Sequence, residues 1–512
     1  MATQPADQID PVVSPKGLAA NKVGVMSGAV LGISTVAPGY TLTASIGLIV
    51  AAVGLKMPAI FIAGFIPMFL TAYAYRELNA DTTDAGASFT WSTKAFGPYV
   101  GWMCGWGMVL ATIIVLSNLA AVGVQFFYLM LARLFDHPGW ESLGTSNKLV
   151  NILTTIALLA IATYISMRGI TTSERIQYWL VGFQMIVLVV FSIIAFSKAG
   201  GQIGHLDFSW SWFNPFGGLG SLSIAAFALG LTGSIFAFWG WDTCLTLGEE
   251  SKDPKRTPGR AGLLCVLTIL GTYLLVALAT MMYAGVGTEG LGLGNEEISD
   301  NVFGALAEPV MGRWGGMFLF LAILASAVAS LQTTFLPVAR TMLAMGSYRA
   351  FPAKFAEISP RYLSPAFGAL VAGIVTAVFY TAVTLVSEKT LGDTIAALGI
   401  MICWYYGITA FACVWYFRHS LFDNPHNIVF RFLFPLLGGI ALLSVFVVSV
   451  KESLNPDNGS GAQIFGIGLV FYIGFGLLIV GAVLMLVMRA VSPAFFRGET
   501  LPRSTPESAK TL

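Results

Sequence analysis

Twelve long apolar stretches divide the chain, and short polar or charged segments separate them. A helix needs about 20 apolar residues to cross roughly 30 Å of hydrocarbon. The pattern therefore predicts twelve membrane-spanning helices, named spans one to twelve in chain order. They lie at 23–53, 57–77, 98–131, 149–168, 176–198, 219–248, 261–285, 313–346, 366–387, 393–417, 432–450 and 463–488.

Composition supports the same class of protein. Of 512 residues, 56% are apolar and 10% are charged, whereas a soluble domain carries roughly a quarter charged residues. A net charge of +1 and four scattered histidines do not indicate nucleic-acid binding or a metal site, so we expect neither nucleic acid, metal nor cofactor. No span contains a catalytic constellation such as HExxH, which argues against an enzyme.

Lysine and arginine are distributed unevenly between alternate loops. If both ends of the chain are cytoplasmic, 20 of the 27 basic residues lie on the inner side. The other seven lie outside, and they are Lys56, Arg133, Lys148, Lys198, Arg313, Lys389 and Lys451. Short cytoplasmic loops attract positive charge. We therefore expect a multi-pass protein of the plasma membrane with both termini in the cytoplasm.

The two ends of the chain, 1–22 and 489–512, are polar. Their composition predicts disordered cytoplasmic tails. Residues 1–22 contain no apolar core of a signal peptide, so we expect span one to remain in the mature protein.

Spans one and six are interrupted in similar ways. Span one contains STVAPGYT, in which Pro38 has no N–H and Gly39 tolerates unusual dihedral angles. Span six contains FAFWGWD, in which Gly240 lies among four aromatic residues and just before Asp242. Irregular backbone persists in a membrane only where it is buried in protein or lines a cavity. The matched breaks therefore predict a central binding site for a small molecule.

The two breaks are five spans apart, which predicts an inverted repeat. The first repeat, 23–198, contains spans one to five, and the second, 219–417, contains spans six to ten. Spans eleven and twelve, within 432–488, are an addition to this pair.

Three segments resemble the amino acid/polyamine/organocation (APC) permeases. ELNADTTDAGASFTWSTKAFGPYVGWMCGW is similar to the loop and third span of that family, IFAFWGWDTCLTLGEESKDPKRTPGRA to its sixth span, and CWYYGITAFACVWYFR to its tenth. The resemblance covers about residues 20–490. It implies an all-α membrane protein with the LeuT-type 5+5 inverted repeat, discontinuous spans one and six, and two extra C-terminal helices. It also implies a secondary transporter that moves a small amino acid-type substrate by alternating access.

The resemblance implies the residues of the site as well. In the family, backbone N–H groups of span one meet the substrate carboxylate, and carbonyls of spans one and six meet its ammonium. The matching positions are Ser34, Thr35, Val36, Ala37, Pro38 and Gly39 in span one and Phe236, Ala237, Phe238 and Trp239 in span six. The predicted substrate site also includes Gly240, Trp241 and Asp242 at the break of span six. Many relatives have GSG where this chain has STVAPG, so the carbonyl contacts are better supported than the carboxylate contact.

Asp242 is the one ionisable side chain placed deep within the predicted spans. It caps the second half of span six, contacts substrate or a proton, or does both, since buried charges are costly and usually functional. A polyamine would require more than one carboxylate, so a zwitterionic or singly charged substrate is favoured. An amine or polyamine carrier of the same fold is the alternative, and a channel or receptor is the alternative of another class.

The coupling ion stays open at this stage. Some relatives carry a lysine in span five that replaces a sodium ion, and the matching residue here is Gln184, which excludes a lysine-based proton switch. Hydroxyls of Ser326, Ser330 and Thr333 in span eight offer ligands for Na⁺, or they join helices. Na⁺ coupling, H⁺ coupling and exchange without an ion all remain possible.

Overall fold

The computed structural model describes residues 13–168, 174–201, 205–217, 222–386, 390–504 and 506. Ten helical stretches within these ranges are long and apolar enough to cross a membrane. The first, Val25–Asp81, has 57 residues and contains two spans, and the shorter apolar helix Ala226–Ala237 belongs to span six. The predicted set of spans is therefore present.

The helices have the following bounds. Spans one to five are Val25–Val36 with Pro38–Val53, Met57–Asp81, Pro98–Leu134, Lys148–Met167 and Glu174–Lys198. Spans six to ten are Ile224–Ala237 with Thr243–Thr246, Thr257–Ala284, Val302–Ser347, Ala366–Val386 and Thr390–Tyr416. Spans eleven and twelve are Pro425–Glu452 and Leu469–Val491. Residues 219–221 and 387 of the predicted spans lie outside the described residues.

The predicted span twelve began too early, at residue 463. The structure has a two-stranded antiparallel hairpin there, β1 (Gln463–Ile464) and β2 (Ile467–Gly468), and the helix begins at Leu469. Phe465 and Gly466 both have positive φ, 52° and 80°, which a helix does not accept. This hairpin is a small exception to the all-α class.

Span eight extends further than the predicted 313–346. Its helix runs from Val302 to Ser347, 46 residues, but Gly312 breaks it with φ 73° and ψ 174°. A straight helix of that length would be about twice as long as the hydrocarbon is thick. The kink therefore separates an outer helical segment, 302–311, from the span itself.

Corresponding spans of the two repeats pack against each other. Span two packs on span seven, span three on span eight and span four on span nine. The two halves of span one lie against the two halves of span six. This pairing places the two breaks next to each other at the centre of the bundle, as an inverted repeat requires.

Glycines bring neighbouring helices close to span six. A Cβ on Gly64 of span two would lie 2.2 Å from Ser234 Oγ, and one on Gly399 of span ten would lie 2.0 Å from Thr232 Cγ2. Small residues allow such close approach in membrane helices. Span six is thus held from two sides just before its break.

The predicted disorder of the N-terminal tail is wrong for its described part. Lys22 N–H and Val23 N–H both donate to Glu250 O, at 2.8 and 3.0 Å, and Lys252 N–H donates back to Val23 O at 2.9 Å. Leu18 is fully buried. Residues 1–12 lie outside the described residues.

The predicted disorder of the C-terminal tail is also wrong for residues 489–504. A short helix, Pro493–Phe496, buries Phe495 and Phe496, and Phe495 stacks on Phe89 at 5.6 Å. Thr500 Oγ1 donates to Tyr348 O at 2.6 Å. Apolar residues inside a polar segment provided this anchoring, which average composition does not reveal.

Candidate functional site

The break in span one lies at Ala37. This residue has the left-handed conformation, φ 54° and ψ 69°, and the second half-helix begins directly after it with Pro38. Proline suits the first position of a helix because that position needs no N–H donor. The predicted interruption around Pro38 is therefore present, one residue earlier than the proline itself.

Hydroxyl groups satisfy the carbonyls at this break. Ser330 Oγ donates to Thr35 O at 2.8 Å, and Thr41 Oγ1 donates to Val36 O at 2.6 Å. The N–H of Tyr40 donates to Ser326 Oγ at 3.3 Å. Unpaired backbone groups are costly in a membrane interior. Span eight thus stabilises the irregular backbone of span one.

The break in span six runs through residues 238–242, between Ile224–Ala237 and Thr243–Thr246. Gly240 has φ +109°, a conformation that L side chains rarely adopt. Tyr273 OH donates to Ala237 O at 2.7 Å at the end of the first half-helix. The predicted break at Gly240 is therefore present, and a tyrosine of span seven supplies a hydrogen bond to one carbonyl group beside it.

The two breaks touch each other. A Cβ on Gly240 would lie 3.1 Å from Val36 N and 3.2 Å from Thr35 C. Every predicted site residue of both breaks is buried. The structure thus gathers Ser34, Thr35, Val36, Ala37, Pro38, Gly39, Phe236, Ala237, Phe238, Trp239, Gly240, Trp241 and Asp242 into two adjoining buried segments.

Asp242 is buried, with 1% of its surface exposed. Tyr405 OH donates to Asp242 Oδ2 at 3.4 Å, and Trp239 Nε1 donates to Tyr405 OH at 2.5 Å. Asp242 Oδ1 has no hydrogen-bond partner among the described residues. The residue stands at the N-cap position of Thr243–Thr246, yet its side chain makes no cap hydrogen bond.

Aromatic rings enclose this carboxylate. Tyr75 of span two lies 5.0 Å from Trp241 and 5.4 Å from Tyr406 between ring centroids, and Tyr405 lies 4.6 Å from Tyr406. The sequence reasoning missed Tyr75, Tyr405 and Tyr406. The adjacent tyrosines in CWYYGITAF were the available signal, but their contact with span six depends on tertiary packing.

The two phenylalanines of the predicted site point to different neighbours. Phe236 meets Tyr40 edge to face at 6.5 Å, so it lies beside span one. Phe238 packs on Phe65 at 5.8 Å and on Tyr273 at 5.3 Å, in spans two and seven. Phe236 is thus the one of the pair that lies at the junction of the two breaks.

Gln184 and Ser326 lie against Gly39. A Cβ on Gly39 would be 3.1 Å from Ser326 Cβ and 3.5 Å from Gln184 Oε1. Gln184 is fully buried, and neither its oxygen nor its nitrogen has a hydrogen-bond partner among the described residues. A buried amide without a hydrogen-bond partner is unusual in a folded protein.

A second glutamine of span five reaches the hydroxyl cluster between spans one and eight. Ser34 Oγ donates to Gln177 Oε1 at 2.6 Å, and Gln177 Nε2 donates to Ala329 O at 3.2 Å. Thr333 Oγ1 donates to Ser34 Oγ at 3.4 Å. The residue of span five beside Ser330 and Thr333 is therefore Gln177, which the sequence reasoning did not name. Gln184 lies further along span five, beside Gly39 of span one.

An ion-pair cluster, the inner lock, closes the end of the bundle where the N-terminal tail lies. Lys16 Nζ bonds Asp84 Oδ2 at 2.7 Å and Glu249 Oε1 at 2.6 Å, and Tyr348 OH donates to Asp84 Oδ2 at 2.6 Å. Asp84 follows span two and Glu249 follows the span-six break. The lock therefore joins the first repeat, the second repeat and the tail.

The inner lock keeps its charges across neutral pH. Burial lowers the pKa of Lys16, but the Asp84 and Glu249 carboxylates outweigh it and raise that pKa above its ordinary value. Burial raises the pKa of Asp84, but the Lys16 charge outweighs it and lowers that pKa below 3.8. The stability from Asp84 is present above its ordinary pKa and is lost as pH falls through the lowered value.

Two cavities lie toward the opposite end of the bundle. One, of about 250 Å³, is lined in part by Thr232, Ser449 and Glu452, and the other, of about 430 Å³, in part by Asn118 and Tyr380. Neither is lined by residues of the two breaks. The breaks therefore form a closed centre between these cavities and the inner lock.

Paired broken helices around a buried centre define a class, the LeuT-type membrane carriers. A family model described as amino acid permease matches residues 23–477. The chain belongs to this family of secondary transporters, and its relatives are transporters rather than enzymes.

The curated relatives are distant in sequence. The chain is 25% identical over 325 residues to the methylthioribose transporter of Bacillus subtilis, a match that covers 62% of this chain and 65% of that protein. It is 25% identical over 363 residues to the vacuolar cationic amino acid transporter 4 of Arabidopsis thaliana, covering 67% of this chain and 56% of that protein. It is 25% identical over 275 residues to a putative arginine/ornithine antiporter of Escherichia coli, covering 53% and 55%.

A solved structure shares the fold. The crystal structure of MhsT in complex with L-phenylalanine superposes with a TM-score of 0.62, at 14% sequence identity. The superposition covers 84% of this chain and 99% of MhsT. The LeuT-type fold implied by the APC resemblance is thus confirmed.

Proposed function

We propose that the protein carries a zwitterionic amino acid across the plasma membrane by alternating access, with the substrate held between the breaks of spans one and six. The observation that carries this proposal is the direct contact of the two backbone breaks, where Gly240 lies against Thr35 and Val36, beside one buried carboxylate, Asp242. The proposal puts both termini in the cytoplasm, and it is supported by the 20 of 27 basic residues that then lie on the inner side.

The second half of span one supplies the anion-binding end. Its helix begins at Pro38, so its positive dipole end and first N–H groups face the break. The helix has no acidic residue in its first turn. Gln184 lies beside Gly39 through its amide oxygen, and its amide nitrogen, which has no partner among the described residues, is available to donate near the same end. A substrate carboxylate fits this end of the site.

The span-six break supplies the cation-binding end. Asp242 Oδ1 lacks a hydrogen-bond partner among the described residues, and Trp239, Tyr405 and Tyr406 surround the carboxylate with aromatic rings. A substrate ammonium would satisfy that oxygen and gain cation–π attraction worth about 0.5–2 kcal/mol. The two ends together match a molecule that has one carboxylate and one ammonium.

A carrier of amines or cationic amino acids is the second candidate. The oxygen of Asp242 that has no partner among the described residues favours it, and two of the relatives are named for cationic amino acids or for arginine and ornithine. A diamine would leave its second charge without a carboxylate, because Asp242 is the one ionisable side chain of the two breaks. The zwitterion therefore remains our first choice.

We expect a neutral amino acid to give the largest thermal stabilisation of the purified full-length protein. A ligand at 100 times its Kd stabilises by about 2.7 kcal/mol. The panel includes the standard L-amino acids, putrescine and methylthioribose, each tested by melting in detergent. Asp242→Asn keeps the shape of the side chain and should abolish the stabilisation, while its own melting temperature without ligand reports folding.

Stabilisation by putrescine or methylthioribose but by no amino acid would overturn the proposal. Equal stabilisation of wild type and Asp242→Asn would remove Asp242 from the site. Saturable uptake of the stabilising amino acid into liposomes separates a carrier from a channel, whose flux at low occupancy rises in proportion to concentration.

We also expect uptake to be independent of sodium. The oxygens of Thr35, Ser34 and Ser330 already engage in hydrogen bonds with Gln177, Thr333 or one another, at 2.6–3.4 Å. A sodium ion there would displace these bonds, which are costly to lose in a dry site. Uptake into liposomes, with sodium chloride replaced by choline chloride at constant ionic strength, should change less than twofold. A loss of tenfold or more would contradict this expectation.

A further inference from the structure

A basic cavity of about 310 Å³ lies where the inner ends of spans two and seven meet, apart from the central site. We call it the basic cavity, and it is lined by Arg76, Glu77, Ala80, Lys255, Arg256 and Arg260. Four of the six lining side chains are cations and one is a carboxylate. The transport proposal assigns this cavity no role.

The carboxylate in the basic cavity is already occupied. Glu77 Oε2 accepts from Arg431 Nε at 2.9 Å, and Arg76 Nε lies 3.8 Å from Glu77 Oε1. Lys255, Arg256 and Arg260 are exposed, and they form no ion pair with any residue that the structure describes. The cavity thus has an excess of positive charge that no ion pair among the described residues neutralises.

A glycine near the start of span seven allows Arg76 to pack closely against this helix. A Cβ on Gly259 would lie 2.5 Å from Arg76 Cγ, so only glycine allows the arginine to lie against the start of this helix. The Arg76 guanidinium also lies 5.4 Å from the Tyr73 ring and 5.9 Å from the Phe430 ring. Span seven begins at Thr257 with no acidic residue in its first turn, so its dipole adds positive potential.

An apolar stripe leads from the basic cavity into the membrane. Residues four and seven positions after Arg260 share its face of the helix. They are Leu264 and Leu267, which are 39% and 50% exposed. A ligand with an anionic head and a hydrocarbon chain would match both the cavity and the stripe. A free phosphate would match the cavity alone.

We propose that the basic cavity binds the phosphate headgroup of an anionic phospholipid, whose acyl chain lies along Leu264 and Leu267. Basic cavities between helices on the inner side of a membrane protein suit such headgroups, and anionic lipids are attracted by each basic residue near the surface. This site is independent of which substrate the central site carries.

Native mass spectrometry of the full-length protein tests the proposal. The protein is released from nanodiscs that contain equal amounts of phosphatidylglycerol and phosphatidylcholine, and bound lipids are counted. Wild type should retain phosphatidylglycerol in preference, and Arg256→Gln with Arg260→Gln should reduce that retention roughly tenfold. Lys354→Gln with Arg361→Gln removes two exposed charges from another inner loop and should retain lipid as wild type does.

Two results would overturn the proposal. The first is equal retention of phosphatidylglycerol by both double variants, which would show a general effect of charge. The second is thermal stabilisation by glycerol phosphate, at matched concentration, as large as that by short-chain phosphatidylglycerol, which would show a site for a soluble anion. Melting curves without lipid establish that both double variants are folded.

Discussion

Gly240→Leu should abolish substrate binding while leaving a folded protein. Gly240 has φ +109°, and a Cβ there would lie 3.1 Å from Val36 N and from Thr35 Cγ2. A leucine must therefore push the two breaks apart at the place where we expect the substrate, and the strained backbone adds about 1–3 kcal/mol. We expect no thermal stabilisation of this variant by the amino acid that stabilises wild type, and no uptake above background.

Gly271→Leu is the matched control for this experiment. Gly271 lies in span seven on an exposed surface, and a Cβ there would meet nothing within 4 Å. This variant should bind and transport as wild type does. Gly240→Ala adds the smallest side chain and should show an intermediate loss of binding and transport. It keeps the test informative if the leucine variant does not fold. Unchanged transport by Gly240→Leu would place the substrate elsewhere.

Arg340→Met should destabilise the protein by about 3–5 kcal/mol, the cost of leaving one partner of a buried ion pair without the other. Arg340 and Glu250 have side chains that are each 3% exposed. The pair is bidentate, with Arg340 Nε to Glu250 Oε2 at 2.5 Å and Nη2 to Oε1 at 2.9 Å. The change should be visible as a lower apparent melting temperature in detergent.

Two further variants give this prediction its controls. Arg497→Met removes an arginine from a pair with Glu499 in which both side chains are more than half exposed, and we expect no measurable shift. Arg340→Met with Glu250→Leu removes both charges and should recover most of the lost stability, because the penalty arises from the stranded carboxylate. If Arg340→Met melts at the same temperature as wild type, the buried pair does not stabilise the protein as its geometry indicates.

The spans and their breaks were predictable because they depend on local features. Apolar runs of the required length identify spans, and proline and glycine identify interruptions. The residue that carries the first break, however, is Ala37, and nothing in an alanine side chain indicates a positive φ. The hairpin at 463–468, before the start of span twelve, was missed for a related reason, because Phe465 is another non-glycine residue with a positive φ.

The partners of the central residues were not predictable from local features. Tyr405 and Asp242 are 163 positions apart, and Gln177 and Ser34 are 143 apart. Contacts of that kind depend on how the two repeats pack. The tails were misjudged because a few residues within a polar segment, such as Lys16 and Phe495, find buried partners.

In the inner lock, one lysine nitrogen atom forms ion pairs with two carboxylates. Lys16 Nζ lies within 2.7 Å of carboxylates from both repeats. If that nitrogen were acylated, two anions would face each other in a nearly dry environment, where like charges repel strongly. The positive charge of one lysine therefore offsets two carboxylates at once, and it joins the two repeats at this end of the molecule.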